Sequence, residues 1–434
     1  MNSLLWLLAF VVVTIPVAAR IRKSKPQIVY MWPWNWLVRK INELSYAHDW
    51  RRYGDVALTL IVGPVLAWKV IKHRRASLIS FFVYVVFLFV LLPALGGSSF
   101  ISTSILNLVF VTLFGFGGYA LALIGMTAYS IILGYLTGVH PEPGIAPALP
   151  GISIGGFSIP LVEGIVALVI ALLFHEGAHG VVSVREKVPV RHGGLITLGL
   201  LPFGAYVEPD ETIFRRASPL SRLRVYSAGP VANMVIFAIF AAILVAASPL
   251  ASYLQDYECA HSIGVRILEV PETLSIGDEY IHSPAYGVLE AGDVILELNG
   301  EDVNCVYRFM EVLAPYRESE SNATIPITVD RDGNVFTVNI TLNQGYIGIK
   351  GVENVYPEPL PLWYHIFAFL LSLIRWIAFL NFMIGLVNML PLPPLDGGFI
   401  YRDLFNELGL KRVYGVVFWL TIGILVINVL PWFI

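Results

Sequence analysis

The sequence predicts an α-helical polytopic membrane protein with about eight spans and one small polar α/β insert. Of its 434 residues, 56% are hydrophobic and only 14% are charged, a composition too apolar for a water-soluble globule. Several apolar runs are long enough to cross about 30 Å of hydrocarbon as helices. The net charge of −3 is small, and the basic residues form no single patch, so nucleic acid is not an expected partner.

The first 150 residues form an N-terminal transmembrane region whose clear spans are 3–19 and 77–97. Basic residues follow the first run and predict that its end faces the cytosol under the positive-inside rule. A cleaved signal peptide is the alternative, although its positive charge normally precedes the apolar run. Residues 26–52 mix Trp, Tyr and basic side chains, which favours a segment lying in the headgroup layer.

Two N-terminal runs leave the path of the chain open. The run 56–71 is short and basic at both ends, so it either re-enters or crosses. The run 101–139 contains no charge and is either one long span or two spans turning at "GFGG". If 56–71 re-enters, 101–139 must cross twice, and if 56–71 crosses, one span of 101–139 suffices. Both combinations give eight crossings. The function of this region is not predicted, and a substrate gate, a dimer surface and simple packing all fit it.

The later spans are clearer and form two halves of a membrane core, 151–257 and 351–434. The predicted core spans are 161–181, 225–248, 363–390 and 414–432. Seven arginine and lysine residues lie between the first two of these spans, so that connection is predicted to be cytosolic.

The stretch "LLFHEGAHGVV", 172–182, places ionisable residues inside an apolar span. In a helix, His175 and His179 stand one turn apart on one face, where two neutral imidazoles can hold one Zn²⁺. Glu176 lies beside them and is placed to take a proton from a water that the metal activates. A chance HExxH match is the alternative, but three ionisable residues within five positions of a span are costly without a partner such as a metal.

A catalytic zinc site usually needs a third protein ligand. Asp396 is the best candidate, because it follows a span that runs toward the cytosolic side, which His175 and His179 also approach. Glu208 and Glu211 are the alternatives, as in zinc proteases that use a downstream glutamate. A simple turn or N-cap role for Asp396 before two glycines is the structural alternative.

Three ordered motifs carry a family resemblance: "HEGAH", "GPVAN" at 229–233, and the N-x-x-P-x-x-x-L-D-G pattern from Asn388 to Gly397. Together they resemble the site-2 protease family of intramembrane zinc metalloproteases. The resemblance implies His175, His179 and Asp396 as zinc ligands and Glu176 as general base. It also implies that Asn233 and Asn388 line the catalytic site. The stretch 193–209 resembles the family's β-loop, which dips into the membrane and could pair with an extended substrate.

The polar insert, 258–350, alternates like strands around a short helix. Its part from Ser283 to Gly300 resembles a PDZ domain, although no clear carboxylate-binding loop precedes it. Topology predicts that this PDZ-like domain is extracytoplasmic. Cys259 and Cys305 both lie in it, and their pairing depends on that location. Peptide capture, substrate sieving and gating are all compatible with the sequence.

The predicted protein is therefore a multi-pass enzyme of the cell membrane, with Zn²⁺ as cofactor and its active site toward the cytosolic side. It is expected to hydrolyse peptide bonds in or near transmembrane segments of membrane protein substrates, in contact with membrane lipids. Two alternatives are a membrane zinc protease with a glutamate as third ligand and an inactive relative that only binds membrane proteins. The sequence predicts neither the substrates nor the oligomeric state.

Overall fold

The computed structural model describes residues 2–71, 74–91, 105–138, 141, 143–145, 150–151, 153–154, 157–276 and 279–433. Among these residues, six helices are long and apolar enough to cross a membrane. They are Arg74–Leu91, Ile105–Thr137, Leu161–Arg185, Pro219–Ala246, Leu362–Asn388 and Lys411–Trp432. This agrees with the predicted polytopic membrane protein, while the count of eight crossings stays a prediction.

The chain divides into two compact units. The first unit comprises Met1–Ile132, Pro143–Val245 and Ser372–Ile434, and the second comprises Leu133–Glu142 and Ala246–Leu371. The second unit contains almost all of the predicted polar insert, so the change of composition along the chain coincides with a structural division.

The N-terminal part of the chain is mainly helical. Its elements are α1 (Asn2–Arg22), β1 (Val29–Pro33), α2 (Asn35–Ala47), α3 (Trp50–Val62), α4 (Pro64–Ala67), α5 (Arg74–Val86, followed by a π-helical turn Phe87–Leu91) and α6 (Ile105–Thr137). The predicted span 3–19 lies within α1. The predicted span 77–97 coincides with α5 and its π-helical turn as far as Leu91, and its remainder lies outside the described residues.

The ambiguous run 56–71 contains a broken helix. Helix α3 ends at Val62, Gly63 has a positive φ of 83°, and α4 follows immediately. Helix α6 is kinked at Gly115, whose φ is 68°, inside the predicted "GFGG" turn. The two breaks contact each other, because a Cβ at Gly63 would lie 2.6 Å from the Leu113 carbonyl oxygen. Only glycine tolerates both the backbone angles and this close approach.

The middle of the chain holds the predicted zinc helix and a β-hairpin. Its elements are β2 (Ser153–Ile154), β3 (Phe157–Ser158), α7 (Leu161–Arg185), β4 (Val190–Leu198), β5 (Leu201–Pro209), α8 (Glu211–Arg216) and α9 (Pro219–Ala246). Strands β4 and β5 form the hairpin that the family resemblance implied, and β1 adds a third strand in the order β1-β4-β5. The segment predicted to lie in the headgroup layer, 26–52, thus contributes a strand here. Its helix α2 packs Leu37 and Ile41 against Val181 and Val184 of α7.

The second unit is an α/β structure with its own apolar core. Its further elements are α10 (Ser248–His261), β6 (Gly264–Glu269), β7 (Thr273–Ile276), β8 (Glu279–His282), β9 (Val294–Leu298), β10 (Glu301–Asp302), α11 (Val306–Glu318), β11 (Thr324–Arg331), β12 (Asn334–Thr341) and β13 (Lys350–Val355). The main sheet has the order β12-β11-β9-β6-β13, and β10 pairs with β9. Cys259 and Cys305 form a disulfide that ties the end of α10 to the residue preceding α11. The strands around a helix match the predicted pattern, and the PDZ-like identity stays a prediction.

The chain ends with three helices, α12 (Leu362–Asn388), α13 (Asp396–Glu407) and α14 (Lys411–Val429). A seven-residue turn containing three prolines separates α12 from α13, and the first residue of α13 is Asp396. The first unit's core gathers buried side chains from α3, the π-helical turn, α6, α9 and α13. This core sets the positions of the helices that carry the predicted site residues.

Candidate metal centre

Helix α7 presents the two predicted histidine ligands on one face. The rings of His175 and His179 lie 4.7 Å apart between centroids, and their Nε2 atoms are 3.2 Å apart. His175 is buried, with 5% of its surface exposed. The i, i+4 spacing and the helical geometry of the whole stretch 161–185 account for this arrangement.

Asp396 reaches the same point from the other end of the sequence. Its Oδ2 atom lies 3.1 Å from His175 Nε2 and 3.2 Å from His179 Nε2. Two glycines make this placement possible, because a Cβ on Gly397 would overlap backbone atoms of Met389 and Leu390. A Cβ on Gly398 would overlap the backbone nitrogen of Pro393. The chain can therefore fold back tightly at the start of α13, so that Asp396 meets the histidines.

The three ligand atoms have the spacing that a tetrahedral zinc ion requires. Zinc–nitrogen and zinc–oxygen bonds of about 2.0–2.1 Å imply ligand atoms about 3.3–3.4 Å apart. The three separations here are 3.1, 3.2 and 3.2 Å. Two imidazoles with one carboxylate are also a donor set that zinc accepts, and it leaves one position open. The residues present therefore fit the ion.

The other ring nitrogens of the histidines contact helix α9. His179 Nδ1 lies 2.7 Å from the Val225 carbonyl oxygen, and His175 Nδ1 lies 3.0 Å from Asn233 Oδ1. A carbonyl oxygen can only accept, so each Nδ1 donates its proton there, and Nε2 is the ring nitrogen that faces Asp396. Such contacts orient metal-binding imidazoles. The predicted site residue Asn233 thus contacts one candidate ligand, His175, on the ring side opposite Nε2.

Asn233 also has an unused donor. The residue is fully buried, and its Nδ2 atom has no hydrogen-bond partner within the described part of the chain. An unpaired buried donor is costly, and such groups recur at catalytic sites.

Gly229, four residues before Asn233, brings α9 close to the ring pair. A Cβ at this position would overlap His179 Nε2 and lie 2.8 Å from His175 Nε2. Pro230 follows it and interrupts the regular hydrogen bonding of the helix in this turn. The glycine of this motif therefore has a direct steric reason at this site.

Glu176 contacts the β-hairpin. Its Oε2 atom accepts a hydrogen bond of 3.0 Å from the Val207 backbone N–H in β5. The carboxylate is therefore held between the zinc helix and the hairpin, next to the ligand that precedes it in the sequence.

The remaining sequence candidates lie in other surroundings. Asn388 donates to the Ile384 carbonyl oxygen of its own helix, 3.0 Å away, so its predicted place at the site stays a prediction. Glu208 contacts His192 at 3.2 Å, and Glu211 pairs with Arg215. Among the described residues, the group that could hold a metal contains Asp396 and neither of these glutamates.

The base of the hairpin is held by a further ion pair. Arg191 contacts Asp210 at 2.6 Å, and Asp210 Oδ1 accepts from the Ile213 N–H at the start of α8. Hydrogen bonds from the Arg191 guanidinium, and then from Ile213, hold the pKa of Asp210 below its usual value. This pair anchors the strand β5 that contacts Glu176.

Sequence reasoning did not identify Tyr53 as a residue that supports the turn of α9 around Gly229. Its hydroxyl donates a 2.8 Å hydrogen bond to the Ala228 carbonyl oxygen, immediately before Gly229. Val225, which orients His179, was also missed, because a backbone carbonyl leaves no signal in residue type. Tyr53 and Ala228 are separated by 175 positions in the sequence, so no local pattern indicates their contact.

Comparisons with known proteins agree on one family. Residues 163–430, more than half of the chain, match the model of peptidase family M50. An uncharacterised protein of Methanocaldococcus jannaschii is 31% identical over 283 residues, which cover 64% of this chain and 65% of that protein. A membrane-bound transcription factor site-2 protease homologue of Arabidopsis thaliana is 27% identical over 202 residues, covering 45% of this chain and 36% of that protein.

A third relative is a Clostridium acetobutylicum protein whose name describes a zinc metalloprotease. It is 23% identical over 310 residues, covering 58% of this chain and 88% of that protein. The chain thus spans less than two thirds of the length of the first two relatives. The matched region contains the three motifs on which the family resemblance was based, and that prediction of the family is confirmed.

Proposed function

Since the chain belongs to peptidase family M50, we propose that it is an intramembrane zinc metalloprotease. It hydrolyses peptide bonds in or near transmembrane segments of membrane protein substrates. The observation that carries this proposal is the group of His175, His179 and Asp396, whose ligand atoms lie 3.1–3.2 Å apart beside a glutamate.

The chain's own residues supply the positioning and the proton transfer. The chemistry that a bound zinc ion supplies at such a site is polarisation of the scissile carbonyl and acidification of a water molecule. His175 and His179 hold their protons at Nδ1 and direct Nε2 toward Asp396. Glu176 keeps Oε2 on Val207, takes the proton of the attacking water at Oε1 and passes it to the leaving amine.

Asn233 supports the same proposal. Its buried Nδ2 donor is free among the described residues, and a substrate oxygen that gains negative charge could use it. Asn388 is proposed to line the site from α12, as the family resemblance implies.

Strand addition to the hairpin is the proposed way of holding the substrate. In the sheet β1-β4-β5, the edge strands are β1 and β5, and β5 is the one that contacts Glu176. An extended segment paired with β5 would present its peptide bonds beside Glu176, which itself contacts β5. A helical peptide bond is shielded, so the substrate must unwind first.

The proposed location is a multi-pass position in the cell membrane, with the second unit extracytoplasmic and the site toward the cytosol. The Cys259–Cys305 disulfide supports an oxidising compartment for the second unit. A PDZ-like filter for substrates is the proposed role of residues 258–350.

The test is the variant Glu176→Gln, reconstituted in liposomes with single-span substrates. It should bind zinc with the affinity of the wild type and lose cleavage by at least about a hundredfold. Glu163→Gln is the matched control, because it lies on the same helix and contacts Ser372, and it should cleave normally. Cleavage by Glu176→Gln at the wild-type rate would reject the general-base role.

The alternatives are separated by measuring zinc. Asp396→Ala should lose the metal, while Glu208→Ala should keep it. The opposite result would favour a zinc protease with a glutamate ligand. A wild-type protein that binds both zinc and substrates but cuts none of them would favour the inactive binding relative.

A further inference from the structure

A single arginine lies in the middle of an apolar helix. Arg375 is 13 residues from Leu362 and 13 residues from Asn388, the two ends of α12. In the six candidate spans, every other arginine or lysine lies within six residues of a helix end. With a rise of about 1.5 Å per residue, Arg375 is about 20 Å from each end of its helix.

Arg375 is exposed and has no carboxylate partner among the described residues. The acidic residues of the six candidate spans are Glu163 and Glu176. Glu163 accepts a hydrogen bond of 3.1 Å from Ser372, and Glu176 is held by Val207. A guanidinium stays charged at any physiological pH, and charged residues within spans usually pair or mark functional sites.

An exposed ridge leads from Arg375 toward the metal centre. Phe379, Met383 and Val387 follow it at intervals of four residues, and they are 37%, 39% and 43% exposed. Rows of side chains at i+4 spacing are the ridges with which helices pack against each other. This ridge ends one residue before Asn388 and nine residues before Asp396 in the sequence.

We propose that this ridge docks the transmembrane helix of a substrate, and that Arg375 pairs with an aspartate or glutamate within that helix. The inference rests on the proposed function and adds a substrate class, namely membrane proteins with a carboxylate inside the transmembrane segment. The ridge then aligns the docked helix with the metal centre, so that its end can unwind onto β5.

A carboxylate on a helix fits the position better than a lipid phosphate. The hydrocarbon core is about 30 Å thick, so phosphates lie about 15 Å or more from its middle. An arginine at the centre of a 27-residue helix is at the greatest distance from both headgroup layers. A carboxylate carried by a second helix can reach the same depth, and it matches the guanidinium with two hydrogen bonds.

The test uses the full-length chain in phosphatidylcholine bilayers and two model single-span substrates. The substrates differ only at one central position, which is Leu in one and Asp in the other. Binding is measured by energy transfer in the Glu176→Gln background, and cleavage is measured with the wild-type base. The Asp substrate should bind about tenfold more tightly than the Leu substrate. Arg375→Leu should abolish this preference, so that it binds the two substrates equally.

A charge exchange and a matched control complete the design. Arg375→Glu should prefer a substrate with Lys at the central position, which a merely structural role of Arg375 would not produce. Arg74→Leu removes an exposed arginine from the beginning of α5 and should leave the Asp preference unchanged.

Each possible result supports or rejects the pairing of Arg375 with a substrate carboxylate. Equal binding of both substrates by a chain that cuts them would overturn the role of Arg375 and leave the proposed function intact. If the chain cuts neither substrate, the proposed function fails, and the binding preference still reports on Arg375. An effect of Arg375→Leu on phosphatidylglycerol binding alone would assign the arginine to a lipid phosphate and reject the proposal.

Discussion

The geometry of the candidate metal centre depends on residues that carry no ligand atom. Gly229 is the clearest example, because its missing side chain leaves room for the Nε2 atoms of both histidines. Val225 and Asn233 then fix the rings through Nδ1. Orientation of the ligands is thus shared between α7, which carries them, and α9, which positions them.

Gly229→Ala should weaken zinc binding by at least about tenfold, the lower bound for changes behind metal ligands. The added Cβ would overlap His179 Nε2 and push the ring pair apart. Gly177→Ala is the matched control, since a Cβ there meets nothing within 4 Å although Gly177 lies between the two histidines. Zinc affinity can be measured by competition with a chromophoric chelator. Equal affinity of both variants would contradict the steric role of Gly229.

Tyr53→Phe tests the contact between the N-terminal region and the same turn of α9. Loss of the hydroxyl leaves the Ala228 carbonyl without this partner, so the turn that holds Gly229 should loosen. We expect a weaker zinc affinity by a fewfold and an altered visible spectrum of the cobalt-substituted protein. Tyr129→Phe, at an exposed tyrosine of α6, is the control. An unchanged cobalt spectrum in Tyr53→Phe would restrict this residue to packing.

Residue-scale prediction from sequence was possible where the pattern was local. The spacing of His175 and His179 required only helix geometry, and Asp396 was found because it follows a span ending on the same side. These three side chains lie together in the structure, and their role as metal ligands stays a prediction. Tyr53 and Val225 could not be found in this way, because their contacts involve backbone carbonyls and long sequence separations.

At the scale of elements, the broken helix around Gly63 explains why the run 56–71 was ambiguous. A break within an apolar region frees carbonyl groups that must find other donors. The Tyr84 hydroxyl donates to the carbonyl oxygens of Leu60, at 3.0 Å, and Thr59, at 3.1 Å. The Tyr401 hydroxyl donates a hydrogen bond of 3.3 Å to the Ile61 carbonyl oxygen. These tyrosines are distant in sequence, so the hydropathy of 56–71 alone could not reveal how the break is stabilised.

Tyr84→Phe should lower the free energy of unfolding by about 1–3 kcal/mol, the cost of leaving a buried carbonyl without a donor. Tyr84 is fully buried, so no water replaces the hydroxyl. Unfolding by sodium dodecyl sulfate, followed by circular dichroism, measures the change, with Tyr129→Phe again as the exposed control. Identical unfolding of Tyr84→Phe and the wild type would show that the Leu60 carbonyl is satisfied in another way.

At the scale of the whole molecule, the first unit joins segments from three parts of the chain through buried ion pairs. Arg224 of α9 contacts Asp55 of α3 at 2.8 Å and Glu186, which follows α7, at 3.1 Å. Arg222 contacts Asp403 of α13 at 2.8 Å. Sequence reasoning left the role of the first 150 residues open between a substrate gate, a dimer surface and packing, and these contacts join their α3 to the helices of the candidate metal centre.

The second unit has its own apolar core and an ion pair that should make its stability depend on pH. The Asp293 side chain is buried, and Arg331 contacts both of its oxygens at 2.7 and 2.8 Å. Burial opposes ionisation, but the hydrogen bonds from Arg331 and from the Glu290 N–H outweigh it and hold the pKa of Asp293 below its usual value. A lowered pKa in the folded state stabilises the fold above the unfolded value of about 4, and this contribution is lost as the pH falls further.

Asp293→Asn should therefore destabilise the second unit at neutral pH and not the metal centre, whose ligands all belong to the first unit. Strands β9 and β11, which carry or flank the pair, should exchange their amide hydrogens roughly tenfold faster at pH 7. The difference from the wild type should shrink as the pH falls below about 4, because the unfolded carboxylate is protonated there and the folded one follows at lower pH. Asp302→Asn, at an exposed position of β10, is the control. A difference that stays constant from pH 7 to pH 3 would show that packing, and not the charge of Asp293, accounts for the effect.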